Sequence, residues 1–347
     1  MDIVNEVFDA FLADYVYAKL LPAQAAASPY DYPNPTNASS AQVFSTWQYK
    51  PATKYFSIQP SHYAYESSLP RDNVYRQVTN LFLITWIFGV LIYFVFATLS
   101  YIFVFDKETF KHPKYLKNQI RLEIKQTMNS MPPMAVLTVP FFLAEVRGWT
   151  KCYDTFEEAP FPWYNWIQYP FFVLFTDFCI YWIHRGLHHP MVYKTLHKPH
   201  HKWIMPTPYA SHAFHPVDGW AQALPYHVFP LLFPLQKFAY VGLFVFVNFW
   251  TIMIHDGEYV ANSPIINGAA CHTMHHLYFN YNYGQYTTVW DRFGGSYRKP
   301  NDELFARETK FSQKEWNKQS KEMEKMVVEV EGKDDRTYDP ADEKKTN

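Results

Sequence analysis

Apolar residues along this chain fall into long unbroken runs rather than the short alternations of strands. Val78 to Phe105 has only Thr, Asn, Ser and Tyr as polar residues and no charge before Asp106, and as a helix it is long enough to cross a bilayer. Met131 to Val146 is shorter, with Glu145 near its end, and Trp163 to Ile183 is long enough but includes Asp177; the two read as a return pair. Trp220 to Ile254 is broken by Pro225, Pro230 and Pro234. It is too long for one pass and marginal for two, so a hairpin that crosses twice or re-enters is expected. Nearer the start, Val4, Val7, Phe8, Phe11, Leu12, Tyr15 and Val16 recur at helical spacing opposite a row of acids. They predict an amphipathic helix whose apolar stripe packs on the protein, with a membrane surface as the alternative. The whole pattern predicts an all-α integral membrane protein with about four transmembrane passes or hairpin equivalents.

Composition agrees with helices: aromatics are 20% of residues and Gly only 11, few for a sheet punctuated by turns. The mean hydropathy of -0.27 averages apolar blocks with a polar tail and does not argue for a soluble chain. Lys+Arg 31 against Asp+Glu 32 leaves no basic field, which sets nucleic acid aside. Cys152, Cys179 and Cys271 show no CxxC or Cys-rich spacing and read as structural thiols. The first charges, Asp2, Glu6, Asp9 and Asp14, precede Lys19, unlike the basic start of a cleaved signal.

Charge matters locally. Between the first two passes Lys107, Lys111, Lys114, Lys117, Arg121 and Lys125 outnumber Asp106, Glu108 and Glu123, which predicts a cytosolic segment. The N-terminus is then lumenal, and the chain returns to the cytosol at Arg185. The sequon Asn37-Ala-Ser39 falls on the lumenal arm and is predicted to accept sugar. Lys344 and Lys345, before Thr346-Asn347, resemble the cytosolic di-lysine retrieval signal of endoplasmic reticulum membrane proteins.

The candidate chemistry is histidine. His184-Arg-Gly-Leu-His188 sets two imidazoles on one helical face, and His197-Lys-Pro-His200-His201 and His272-Thr-Met-His275-His276 share a second spacing that on a helix could bring three rings to one point. Pro199 places the second cluster at a helix start or irregular turn. With 15 histidines in 347 residues, an HxxHH pattern arises by chance about 0.03 times per chain, so two are informative. Isolated histidines such as His62 and His112 read as surface or satisfied residues. Eight clustered imidazoles exceed one tetrahedral zinc. Imidazole also suits iron, copper and nickel. A redox centre beside lipid points to an apolar substrate attacked at an unactivated C–H bond, which needs iron or copper with oxygen. His215 and His255 are candidate additional ligands, while His212 and His227 are read as orienting groups at most. Asp177, Asp218 and Asp256 are candidates to hold the far ring nitrogens. Phe279, Tyr283, Tyr286, Thr287 and Trp290 are candidates for a substrate wall, with an aromatic belt as the alternative.

The order HxxxH, HxxHH, HxxHH with a His-Pro between the last two boxes resembles the fatty acid hydroxylase superfamily, over roughly residues 78 to 300. Thr-Pro-Tyr-Ala-Ser-His-Ala-Phe-His-Pro-Val-Asp-Gly-Trp at 207 to 220, Ile-His-Asp-Gly-Glu-Tyr at 254 to 259, and the string from Tyr283 to Arg298 are similar to its fungal sterol C5-desaturase branch. The resemblance implies a di-iron site, in which zinc can replace iron on purification, and oxygen as co-substrate. It implies electrons from cytochrome b5 and its NAD(P)H-dependent reductase, and a Δ7-sterol converted to a 5,7-diene in ergosterol biosynthesis. The eight box histidines carry over as catalytic ligands, with His215 and His255 as additions. Where some relatives place a histidine four positions after His255, this chain has Tyr259.

The expected organisation is an N-terminal helix and Pro/Tyr-rich lumenal arm (1–77), a membrane catalytic domain with a cytosolic histidine-rich helical cap (78–300), and a charged cytosolic tail, partly helical and then disordered (301–347). Other readings of the same boxes are a sterol C4-methyl oxidase, a fatty acid or sphingolipid hydroxylase, or, outside enzymes, a metal-binding or transport protein.

Overall fold

The computed structural model describes residues 1–23, 47–260 and 262–338; the expected sequon at Asn37 and the pair Lys344 and Lys345 lie outside them. The first helices, α1 (Asp2–Phe8) and α2 (Asp14–Leu20), run into one another through a π turn at Asp9–Ala13. The body of the protein is α3 (Val74–Phe103), α4 (Gln119–Val146) and α5 (Tyr164–Leu187), then, after the short α6 (Pro190–Val192) and α7 (Lys198–His201), α8 (Pro216–Leu232) and α9 (Lys237–Ile254). The histidine-bearing α10 (Ala269–Tyr278), the short α11 (Val289–Phe293) and α12 (Arg307–Lys310), and α13 (Gln313–Glu331) complete the chain. A two-residue parallel pair, β1 (Cys152–Tyr153) with β2 (Leu235–Gln236), is the only sheet among the described residues.

α3 and α9 are long and apolar enough to cross a membrane. α3 is built inside out relative to a soluble helix: Arg76, Gln77, Asn80 and Ser100 are buried, while Ile87, Leu91, Val95, Leu99 and Ile102 face outward. Pro132, Pro133 and Pro140 lie within α4, Pro170 within α5, and Pro225 and Pro230 within α8. The break expected at the prolines between residues 220 and 254 therefore falls only at Phe233 to Gln236, where α8 ends and α9 begins. Leu81, Phe142, Phe172, Ile180, Phe229, Leu235 and Leu243 form the core where α3, α4, α5, α8 and α9 meet.

The N-terminal helix corrects the expectation that its apolar stripe packs inward. Asp9 and Asp14 are buried: Arg76 donates to both, Arg71 donates to Asp14, and Asn80 donates to Asp9 at 2.9 Å. Val7, Phe11, Leu12 and Tyr15 point outward, with Phe11 79% exposed; only Val4 and Phe8 of the stripe pack on the core. The reason is that Arg76 on the inner face of α3 and Arg71 just before that helix are both buried, and a buried guanidinium requires carboxylates. In the charged C-terminal region α13 buries Trp316, Met323 and Val327, and the last two pack against Met274, Leu277 and Tyr278 of α10.

Candidate metal centre

His184 lies in the last turn of α5 and His188 at its C-cap, so both rings leave the same helical face. His197 ends a π turn and His200 and His201 lie on α7, where Pro199 occupies the first turn, a position at which its missing N–H removes no bond. α10 carries His272, His275 and His276, and His255 caps the end of α9. The structure gathers these nine imidazoles into two groups: His184, His188, His197, His201 and His275, and beside them His200, His255, His272 and His276. Within each group one nitrogen per ring lies within 4.8 Å of all the others.

Each HxxHH box is thus divided, where the spacing suggested that one box could converge on one point. Successive residues rotate by about 100° around a helix, so i and i+4 align better with each other than with i+3. The second box gives His197 and His201 to the first group and His200 to the second; the third box does the reverse, with His272 and His276 in the second group and His275 in the first.

The nitrogens are spaced as ligands of a common ion. His184 and His197 Nε2 are 3.1 Å apart and His188 and His201 Nε2 3.2 Å. His255 Nε2 lies 3.0 Å from His272 Nε2 and 3.4 Å from His200 Nε2, and His272 and His276 Nε2 are 3.2 Å apart. Nitrogens about 2.0–2.1 Å from one ion would stand about 2.9–3.4 Å from their neighbours. Four rings are held from behind: Nδ1–H of His184 donates to Tyr283 O at 2.9 Å, of His275 to Tyr281 O at 2.7 Å, of His255 to Thr251 O at 2.6 Å, and of His197 to Asp218 Oδ2 at 2.8 Å. That assignment leaves each Nε2 with an in-facing lone pair. His275 Nε2 is buried with no partner among the described residues. Burial, and then the neighbouring imidazoles, hold His188, His200, His201, His272, His275 and His276 well below the usual histidine range, in the neutral form that can ligate a metal. The donor set and its spacing fit two metal ions.

The backing carbonyls belong to a fixed loop. Asp177 accepts from the backbone N–H groups of Gln285, Tyr286 and Thr287 and from the Thr287 hydroxyl. Asp291 accepts from the N–H of Tyr283 and Gly284, both at 2.8 Å. A side chain at position 284 would run into Thr287 O, so the loop needs glycine there. Asp177 therefore serves the histidines through backbone, while Asp218 touches one directly. Asp256 accepts from Glu258 N–H, and its carboxylate hydrogen-bonds to no histidine among the described residues. His215 is set apart from both groups, its Nδ1 accepting from Val217 N–H as the cap of α8. His212 bonds to Asn248 and His227 to Tyr240.

Sequence reasoning passed over Asp291 and Glu123. Glu123 accepts from Thr207 and Gln119, and burial pushes its carboxyl up to about 7. Its signal was register: it falls on the same α4 stripe as the buried Thr127, Met131, Ala135 and Phe142.

Of the residues expected to form a substrate wall, Phe279 packs on His201 with ring centres 5.0 Å apart and Tyr283 on His188 at 4.9 Å. Tyr286 meets the Tyr226 hydroxyl at 3.0 Å, Thr287 bonds to Asp177, and Trp290 packs on Phe178. The structure does not bring these five to the apolar cavity. That cavity, about 150 Å³, lies between α3, α4, α5, α8 and α9, with Met131, Met134, Phe172, Tyr226, Phe244 and Val247 in its wall. It reaches the metal centre through two of its residues: Phe214 stacks on His200 with centres 4.3 Å apart, and Thr251 backs His255. A larger polar hollow of about 440 Å³ adjoins the N-terminal helix and contains no histidine.

Residues 169–296 match the fatty acid hydroxylase family model, a segment that includes all nine imidazoles. Over essentially its whole length the chain is 65% identical to a probable Delta(7)-sterol 5(6)-desaturase of Neurospora crassa, with 100% of both chains covered. The chain belongs to the Delta(7)-sterol 5(6)-desaturase family of fatty acid hydroxylases. A member from Leptosphaeria maculans is 65% identical with 99% of each chain covered, and one from Candida albicans is 47% identical with 97% of this chain and 99% of that one covered. No solved structure matches the chain. Membership accounts for the two-group geometry better than a structural zinc site, which needs four ligands rather than nine.

Proposed function

We propose that this chain is an oxygen-dependent Δ7-sterol 5(6)-desaturase that introduces the C5–C6 double bond of a 5,7-diene in ergosterol biosynthesis. The observation that carries the reading is the pair of adjoining imidazole groups at one end of an apolar cavity, in a chain so similar to named desaturases. Bound in those groups, two iron ions would supply oxygen activation, oxygen being reduced to two waters by two hydrogens from the sterol, two electrons from cytochrome b5 and its reductase, and two protons from solvent. The protein's part is position and exclusion. The loop from Tyr281 to Thr287 fixes His184 and His275, Asp218 fixes His197, and Phe214 closes apolar surface over His200. The cavity orients an apolar substrate beneath the groups and keeps water from them.

The proposed setting is the endoplasmic reticulum membrane, with α3, the second half of α4, α5 and the α8–α9 hairpin as about four crossings or their equivalent. Two features support a cytosolic metal centre. His184 and His255 end α5 and α9, and Tyr93, towards the end of α3, donates to Tyr209 O beside the centre, on the side where the basic segment 107–125 joins α3 to α4. The N-terminal helix contacts the other end of α4, where the Met1 amine pairs with Glu145. Glycosylation at Asn37 together with protease access to Lys344 and Lys345 is the expected topology result; the reverse pattern inverts it.

The decisive test is product analysis in cells lacking their own desaturase. Expression should produce the 5,7-diene, seen by its ultraviolet absorbance and by mass spectrometry; a hydroxylated or C4-oxidised sterol instead would overturn the reading.

A further inference from the structure

Two glutamines in the cavity wall each have one end of the carboxamide fixed and the other uncommitted. Gln222 Nε2 donates to Asp218 Oδ1 at 2.8 Å, and the other oxygen of that carboxylate accepts from His197. A carboxylate has no hydrogen to give, so the amide is oriented and Gln222 Oε1 is turned away from it. Gln285 Nε2 donates to Thr251 Oγ1 at 3.2 Å. The threonine's own hydrogen goes to Val247 O at 2.9 Å, so Oγ1 is the acceptor and this amide is oriented too. Thr251 O in turn accepts from His255. One glutamine is therefore linked behind each imidazole group, Gln222 through Asp218 to His197 and Gln285 through Thr251 to His255, and both line the same cavity. Neither Oε1 receives a hydrogen bond among the described residues, whereas His212, Asn248 and His227 in the same wall are paired.

We propose that Gln222 and Gln285 form the subsite that accepts the hydrogen of the substrate's hydroxyl, making them positioning residues for the reacting carbons. The inference rests on the sterol reading above and adds the site of recognition. In a 3-hydroxysterol the hydroxyl oxygen is three bonds from C5, so it lies within about 4 Å of the carbon to be oxidised. The one polar group of the substrate must therefore be received at the metal end of the cavity, and a buried hydroxyl without a partner is strongly disfavoured. The uncommitted oxygens stand where that partner is needed. A sterol lacking the hydroxyl, or esterified there, would leave them unmatched and lose its register against the imidazole groups.

The test uses the full-length protein loaded with zinc, which binds without turnover, titrated with a Δ7-sterol and with its 3-deoxy counterpart. The hydroxylated ligand should bind about 10-fold or more tightly. Gln222→Leu and Gln285→Leu, singly and together and with metal content measured, should weaken the hydroxylated ligand and leave the deoxy ligand unchanged, closing the gap in the double variant. Equal affinity of the two ligands for the unaltered protein overturns the proposal without any variant, and so does a gap that survives the double substitution. Product analysis separates the two claims. If no Δ7-sterol yields a 5,7-diene, the substrate reading fails; if the diene forms and the hydroxyl makes no difference to binding, only the subsite fails.

Discussion

Replacing Asp218 by asparagine removes the charge behind His197 with almost no change of shape. Both side chains are fully buried and the bond between them is 2.8 Å long. A bond to a buried charged acceptor contributes about 1.5–3 kcal/mol and a neutral one about 1 kcal/mol, so an asparagine that still accepts through oxygen would give up about 0.5–2 kcal/mol. That corresponds to about 2- to 30-fold in the affinity of the first group for metal, its upper part in the range expected for the outer partner of a ligating histidine. The new amide would also face Gln222 Nε2, donor against donor, so Gln222 must turn and its free oxygen is lost from the cavity. The assay is titration of metal-free protein against a competing chelator, fitted to two sites. Asp218→Asn should weaken one site and leave the second, built from His200, His255, His272 and His276, unchanged. Asp256→Asn should change neither, since among the described residues its carboxylate accepts from the Glu258 N–H and from no histidine. An unchanged isotherm for Asp218→Asn, or equal loss at both sites, would refute the reasoning.

His255→Ala should lose one of two bound ions and all turnover, whereas His215→Ala should keep both ions and lose only a helix cap, about 1 kcal/mol or less, by metal analysis and thermal melts. The six imidazoles held neutral in the folded metal-free protein take up protons in the unfolded chain below about pH 6.5. The unfolded state then binds more protons, so stability is full above that pH and falls as pH drops, by up to about 1.4 kcal/mol per pH unit for each ring. A melting temperature flat between pH 8 and 5.5 would contradict this. Arg76→Met should destabilise the detergent-solubilised protein by about 3–5 kcal/mol by leaving Asp9 and Asp14 buried without it, while Phe11→Ser, at an exposed position, should stay within about 0.5 kcal/mol yet weaken binding to lipid vesicles.

The histidines that gather into the two groups were legible in the sequence because a metal-binding pattern leaves a local mark: rings three and four residues apart on one helix. What the spacing could not show is how the boxes are shared. That depends on α7 and α10 facing one another, so that His200 meets His276 with ring centres 4.8 Å apart and His201 meets His275 at 4.6 Å. The same limit explains the three candidate carboxylates. Asp177, Asp218 and Asp256 look alike in a string, yet one grips a loop, one grips a histidine and one closes a turn. The expected substrate wall followed the last box in sequence, but there the backbone takes positive φ at Phe279 and Asn282 and folds the aromatic rings back under the imidazoles. Most of the cavity wall comes from helices far earlier in the chain, including Thr85 and Gly89 of α3, and the stretch after the last box contributes Gln285 to it.

The apolar runs located the long helices for a reason that also explains the failure at the N-terminus. Hydrophobic periodicity shows that a helix has two faces; it does not say which face meets the protein. In water the apolar face must turn in. Where lipid is the surrounding medium the exposed apolar face carries little penalty, and the inward face is chosen by what the neighbouring helix presents. α3 presents Arg71 and Arg76 at its start, Arg71 just before its first turn and Arg76 within it, so Asp9 and Asp14 turn in and Phe11, Leu12 and Tyr15 turn out. The acids that marked the outer face in the sequence are therefore the residues that dock the helix. An outward apolar stripe beside the protein's own charged core is the arrangement expected of an interfacial helix, so the vesicle response of Phe11→Ser tests the medium and Arg76→Met tests the dock.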